Sequence, residues 1–204
     1  MYTKAKIFNL ALGALLSNKQ VSNTETDTTT ENQVLNVHYD SALRSTLQDL
    51  DLDSTCIQKN LELISTDPND LWLFAYKYPS NCSFFRRIQS VALKDNRTTH
   101  IPRRIVNHNN IKAIYTNESD AIGEFIPHDL SLNVLSASAG LAVAYKLASL
   151  CSALVTGKAA VALRKQIMES YVLAKIEAQE QDRLENMSFD EDEVVSELVE
   201  ARTS

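Results

Sequence analysis

Glycine and proline are scarce in this chain, four of each in 204 residues. That excludes collagen-like and linker-type sequences. Cysteine is scarce as well. Cys56, Cys82 and Cys151 are odd in number and widely spaced. No CxxC pair and no Cys/His metal spacing accompanies them, so neither a disulfide framework nor a zinc site is expected. They read as reduced thiols of a cytosolic product. The chemical motifs are also missing: no phosphate-binding P-loop, no GxGxxG, HExxH, GxSxG or DxDxDG. The histidines are scattered. His38 lies beside the apolar face of a predicted helix and reads as a partly buried polar side chain. His100 and His108 flank a predicted strand without a Cys or carboxylate at ligand spacing. Asp49, Asp51 and Asp53 alternate as in a calcium loop, but the glycine and terminal glutamate of that loop are absent, so they read as a helix-ending turn. No catalytic residue, metal or cofactor is expected.

What is present is ordinary in amount and uneven in place. Apolar residues make up 44% and charged residues 23%, and the net charge is −6. The whole chain is therefore not a basic nucleic-acid binder. Residues 181–204 hold eight acids against Arg183 and Arg202, which accounts for all of the −6. The remainder is neutral overall. Within it, residues 86–112 hold seven bases (Arg86, Arg87, Lys94, Arg97, Arg103, Arg104, Lys112) and one acid, Asp95.

Two apolar runs raise the question of membranes. Residues 7–16 lack a small-residue cleavage site after them and read as a packed helix rather than a signal peptide. Residues 134–155 are long enough for a span, but Lys146 near the middle, the serines and the alanines favour a buried helix packed by small residues.

Periodicity divides the chain into helix, strand and helix again. Ile7, Leu10, Ala11, Ala14 and Leu15 predict a helix from Thr3 to about Ser17. A Thr- and Asn-rich loop follows over 18–33, with Thr28 and Glu31 in capping-box spacing. A second helix is predicted from Thr29 to Leu50. All four prolines fall in 55–127, where strands are expected at 57–66, 71–77, 83–92, 101–106 and 111–116. Val106-Asn107-His108-Asn109-Asn110-Ile111 would be a hairpin loop. Pro127 would open a third helix running to Val155. Thr156-Gly157 would reverse the chain into an antiparallel fourth helix from Lys158 to Asn186. Small residues of the third helix (Ser136, Ala137, Ser138, Ala139, Gly140, Ala142, Ala144) would allow close helix approach. The expected fold class is therefore α+β, mainly α: an antiparallel helical bundle (3–50 and 128–186) with a small inserted β region (55–127) and an acidic C-terminal tail (187–204).

The basic run admits two readings. With Phe84, Phe85 and Tyr115 nearby it could bind nucleic acid by stacking and phosphate contact, making the chain a regulator acting through 86–112. It could instead be a solvated or subunit-facing surface, which is favoured because strand alternation would split the charges between two faces. In the tail, Val194, Val195, Leu198 and Val199 interrupt the acids at helical spacing. That pattern suits either a peptide that folds onto a partner or a frayed helix end.

The order of segments carries a resemblance. An opening Asn9-Leu10-Ala11-Leu12-Gly13 precedes the polar loop, and the second helix carries Tyr39, Ala42, Leu43 and Arg44. Then come Leu71-Trp72, Tyr76-Lys77-Tyr78-Pro79, Cys82 and Phe84-Phe85-Arg86-Arg87-Ile88. A strand region leads to an Ala/Leu-rich helix and a last helix ending in Ala174, Glu177, Ala178 and Asp182. Over roughly residues 3–186 this resembles the tail tubular protein A family of short-tailed bacteriophages, the head-to-tail adaptor or gatekeeper proteins. Asp51–Thr55 stands where that family usually has a Pro-Trp-Asn-like element.

The resemblance implies a virion neck protein, assembled in the host cytoplasm, that needs no active site. It implies a homo-oligomeric ring, commonly of twelve copies, beneath the capsid portal. The ring would continue the DNA channel without binding DNA specifically and would seat the tail nozzle. Portal docking would then fall to Asp190, Glu191, Asp192, Glu193, Val194, Val195, Leu198 and Val199. Contacts with a neighbouring subunit or the nozzle would fall to Arg86, Arg87, Arg103 and Arg104. Acids facing the lumen would repel DNA phosphates. No membrane contact is implied.

Overall fold

The computed structural model of the chain describes residues 1–90, 100–155 and 160–186. Among them are four α-helices: α1 (Lys4–Ala14), α2 (Thr30–Leu50), α3 (Ala137–Val155) and α4 (Ala160–Asn186). Seven strands lie between α2 and α3: β1 (Ile57–Asn60), β2 (Leu63–Asn69), β3 (Trp72–Lys77), β4 (Cys82–Gln89), β5 (Arg103–His108), β6 (Ile111–Thr116) and β7 (Ile122–Pro127).

The strands form two antiparallel sheets, a three-stranded one in the order β1-β7-β4 and a four-stranded one in the order β2-β3-β6-β5. This corrects the expected fold class. Strands make up 25% of the structure and build two sheets, which conflicts with a mainly helical bundle carrying a small β insertion. The β region also has its own core. Tyr76, Cys82, Phe85, Ile88, Ile114 and Phe125 are buried together between the sheets, with Leu61, Phe74 and Tyr78 at the margin. The Phe85 and Phe125 rings stack at 6.4 Å.

The three-stranded sheet is the middle of three layers. One face meets the four-stranded sheet through Phe85 and Phe125. The other gives Phe84 and Ile126 to the main core, which is otherwise built by α1, α2, α3 and α4. Gly123 of β7 has no room for a side chain. A Cβ there would stand 2.6 Å from Leu61 Cδ2 and 2.9 Å from the Phe85 ring.

Within the helical layer α3 is central. Ala139, Ala142, Val143, Ala144, Leu147, Ala148 and Cys151 are all buried, and the small residues do let neighbours approach. The ring of Tyr2 lies directly on Gly140, and its hydroxyl donates to the Ala137 carbonyl at 2.8 Å. Helix α4 runs antiparallel to α3, with Ser138 near Glu177 (3.4 Å) and Ala142 packed with Tyr171 and Ala174. Lys146 stands on the seam rather than in an apolar surround. It lies 3.6 Å from the Asp49 carboxylate and 5.0 Å from the centre of the Tyr171 ring. No described helix is long and apolar enough to cross a membrane.

Local chemistry explains most boundaries. Thr3 caps α1, its hydroxyl accepting from the Lys6 amide. The cap of α2 is Thr29, which accepts from Asn32, in place of the expected Thr28–Glu31 box. Asp51 ends α2 in the left-handed conformation, φ 49°. Asn109 and Asn110, at φ 51° and 66°, turn β5 into β6. Two consecutive positive φ angles mark the tight hairpin turn whose twist matches its strands, and asparagine tolerates them best after glycine.

Three other expectations fail. The run 57–66 is not one strand but two, β1 and β2, in different sheets. Residues Ile122–Pro127 form a strand, β7, where no strand is expected. Pro127 does not open a helix. It is the last residue of β7, and α3 begins ten residues later. The Thr156-Gly157 reversal, Lys158 at the expected start of the fourth helix and residues 91–92 of the expected strand lie outside the described residues.

Candidate functional site

The most concentrated polar chemistry lies where β4 and β7 face the C-terminal end of α4. Its centre is Glu124 of β7, a carboxylate only 2% exposed. A strand carboxylate is buried at that depth only if its oxygens are fully engaged, and they are. Arg86 Nη1 donates at 3.1 Å, Arg87 Nη2 at 3.1 Å, Gln58 Nε2 at 3.2 Å and Gln89 Nε2 at 2.6 Å. Arg87 Nε stands 3.0 Å from the carboxylate.

Simple alternation would send Arg86 and Arg87 to opposite faces of β4. A β-bulge prevents this. Phe85 pairs with Phe125 and Arg87 with Glu124, so Arg86 is the extra residue. Two residues then oppose one, and both guanidinium groups reach the same carboxylate. Arg86 also bonds Asp53 and lies 3.0 Å from Asp51, the two aspartates of the turn after α2. Burial disfavours its charge, but the bond to Asp53 and the nearness of Asp51 outweigh this and hold Arg86 above its ordinary pKa.

Beside Glu124 a cleft of about 350 Å³ opens, lined by Asp53, Cys56, Gln58, Arg87, Gln89, Glu124 and Asn186. Burial pushes the Cys56 thiol up to about 11, so it is protonated at neutral pH and is a poor nucleophile. The cleft is thus a set of donors and acceptors committed to one another. Among the described residues no three His, Cys, Asp or Glu side chains are grouped as metal ligands. His108 Nδ1 instead lies 2.7 Å from the Tyr115 hydroxyl.

Helix α4 is clamped to this site. The Asp182 carboxylate accepts from the Asp53 amide at 2.8 Å and the Ser54 amide at 3.2 Å, capping the short 3-10 turn Asp53–Thr55. Gln179 Nε2 donates to the Leu50 carbonyl at 3.0 Å. Tyr171 donates to Asp49 at 2.8 Å. Asn186, the last described residue of α4, lines the cleft.

The four arginines proposed from sequence do not form one patch. Arg86 and Arg87 are joined on the helix-facing side of the middle sheet. Arg103 lies between the sheets, its guanidinium 5.5 Å from the Phe85 ring centre and donating to the Arg86 carbonyl at 2.5 Å. Arg104 faces the other way on β5, opposite Tyr115, and is exposed. Lys94 and Arg97 lie outside the described residues, as do Asp190, Glu191, Asp192, Glu193, Val194, Val195, Leu198 and Val199. Sequence reasoning missed Glu124 because β7 was not recognised. The signal was an apolar run, Ile122–Ile126, interrupted by one acid and entered from an Asn117–Asp120 turn cluster. Neither protein-family models nor curated proteins give a match to this chain.

Proposed function

We propose that the chain is a structural adaptor subunit, joining a capsid portal to a tail nozzle in a ring of copies around a DNA channel. The order of segments that resembles the tail tubular protein A family supports this reading. The observation that carries it is the outer sheet. Leu71 is 74% and Leu73 51% exposed on the β2–β3 hairpin, and Leu63, Ile105 and Ile111 are exposed on the same sheet. Leu63 and Ile105 pair with the inward-facing Tyr76 and Ile114, so Leu73 and Ile111 are the exposed apolar strand residues on the face that carries Arg104, and exposed apolar groups with a charge on the same face suit protein contact. The contact with a neighbour or the nozzle falls on this sheet, where Arg104 is exposed and has no ion pair or hydrogen bond among the described residues. Arg86, Arg87 and Arg103 support it from within.

The tail 187–204 follows Asn186 in the sequence and is the portal-docking segment in this reading. The chain works in the neck of a virion and is assembled in the host cytoplasm. Mixing the purified chain with portal protein and imaging by negative stain should give rings on the portal. A chain ending at Asn186 should keep its fold and lose portal binding. Normal binding by that truncation would refute the docking role. A steeply salt-dependent affinity for DNA would replace the adaptor reading with nucleic-acid binding.

A further inference from the structure

The end of α4 is held differently from the rest of the helix. Ala178 is its last residue to reach a core. From Gln179 to Asn186 every side chain is exposed except Asp182, which is half-buried. A hollow of about 180 Å³ lies between this stretch and the body, with Leu52, Ser54 and Leu135 on one side and Gln181, Asp182 and Glu185 on the other. About two turns of helix therefore stand over a void without buried apolar contact. Among the described residues, the hydrogen bonds that tie them down are those of Gln179 to the end of α2 and of Asp182 to the Asp53 and Ser54 amides. A segment with so little burial opens locally, without the rest of the molecule.

The Asp182 bonds are made against their electrostatic surroundings. They bring that carboxylate close to the side chain of Asp53, which is also an acid. Asp49 and Asp51 lie at the C-terminal end of α2, where the helix dipole disfavours negative charge. Among the described residues Arg86 is the cation paired with both Asp53 and Asp51. The other nearby cations are committed elsewhere: Lys146 stands by Asp49, Arg183 by Glu180 and Arg87 by Glu124. We infer that Arg86 keeps the end of α4 closed. By neutralising Asp53 it lets the Asp182 carboxylate approach the Asp53 and Ser54 amides. Without it the last two turns of α4 come away as one unit and take Asn186 out of the polar cleft. Arg86 is thus a positioning residue for the helix end and acts through Asp53.

The coupling runs both ways, so opening the helix end also loosens the hold of Asp53 on Arg86, and with it the cluster around Glu124. It involves no second copy, portal or nozzle and stands apart from the adaptor reading.

The test is residue-resolved amide exchange of the full-length chain by NMR. In the wild type the amides of residues 183–186 should exchange through a local opening, faster than those of residues 167–174. Arg86→Gln should speed exchange at 183–186 on the order of tenfold or more, the scale of losing hydrogen bonds to a charged group. Added salt should slow it again in this variant, since salt screens the repulsion between Asp53 and Asp182. Arg86→Lys keeps a cation beside Asp53 and should fall between wild type and Arg86→Gln. It also carries the test if the glutamine variant does not fold, which circular dichroism decides. Val143→Ala removes apolar contact from the main core, where Val143 is fully buried. It lowers the global stability and should leave 183–186 unchanged, because an amide that exchanges by local opening does not report the global transition. Exchange of 183–186 in the wild type only with the whole molecule would overturn the inference. So would unchanged rates in the Arg86 variants, equal rates for lysine and glutamine, or no response to salt in Arg86→Gln.

Discussion

Glu124 holds two guanidinium groups and two amides around one carboxylate, with almost no access to water. Breaking a buried ion pair from one side costs more than the pair is worth, because the remaining charge is stranded. Glu124→Gln keeps the shape but turns an amide N–H toward groups that are themselves donors. It should lower the unfolding free energy by about 3 kcal/mol, measured by urea denaturation. Arg104→Ala, at an exposed position, should change it by less than about 0.5 kcal/mol. An equal effect of the two would mean that the cluster is not organised around Glu124. The contrast also separates what was legible from what was not. The sequence places Arg86, Arg87, Arg103 and Arg104 in one basic run. Their directions depend on a bulge and on which sheet each strand joins, and neither leaves a mark in local composition. A carboxylate 37 residues after Arg87 has no local signal connecting it to the pair.

At the scale of elements, the helices were the readable part. Helices α1 and α2 repeat their apolar residues over enough turns to outweigh local irregularity, and the capped ends of α2 fall within a residue or two of expectation. The strands are four to eight residues long. Over such lengths a bulge or a turn destroys the alternation, as in β2, whose register slips twice against β3. Pro127 misled for a related reason: a proline with fixed φ suits the first turn of a helix and also the margin of a strand. The Asp182 clamp was invisible because its partners are backbone amides 129 and 128 residues away. It makes a prediction proper to this scale. Asp182→Ala should cost about 2 kcal/mol, as expected for losing hydrogen bonds to a charged acceptor. It should also raise amide exchange selectively in the last two turns of α4 and in residues 53–55. A uniform rise across α4 would show that the helix is held by its packing on α3 and not by the clamp.

For the whole molecule, the expectation of a bundle with an insertion gives way to three layers, with the two largest cores on either face of the middle sheet. All three thiols are kept from solvent to some degree, one in the helical core, one between the sheets and one in the polar cleft. Burial raises Cys56 and Cys151 to about 11 from an ordinary value of 9.0. The folded state thus holds protons that the unfolded chain begins to release near pH 9. Their contribution to stability is complete below pH 9 and is lost as pH rises toward about 11. The urea midpoint should fall across that window, and the fall should shrink in a Cys56→Ser, Cys151→Ala variant. A flat midpoint from pH 8 to 11 would contradict this.

The layered arrangement also sets an order of disassembly. β7 is the middle strand of the middle sheet, and Gly123 to Ile126 are buried on both faces. No local fluctuation frees its amides without separating β1 or β4 and parting both cores. Its amide hydrogens should therefore exchange only when the whole molecule opens, with a protection equal to the global stability. The edge strands β2 and β5 should lose theirs in small openings long before. A molecule built this way can open its outer sheet and re-form around a strand that has never been exposed.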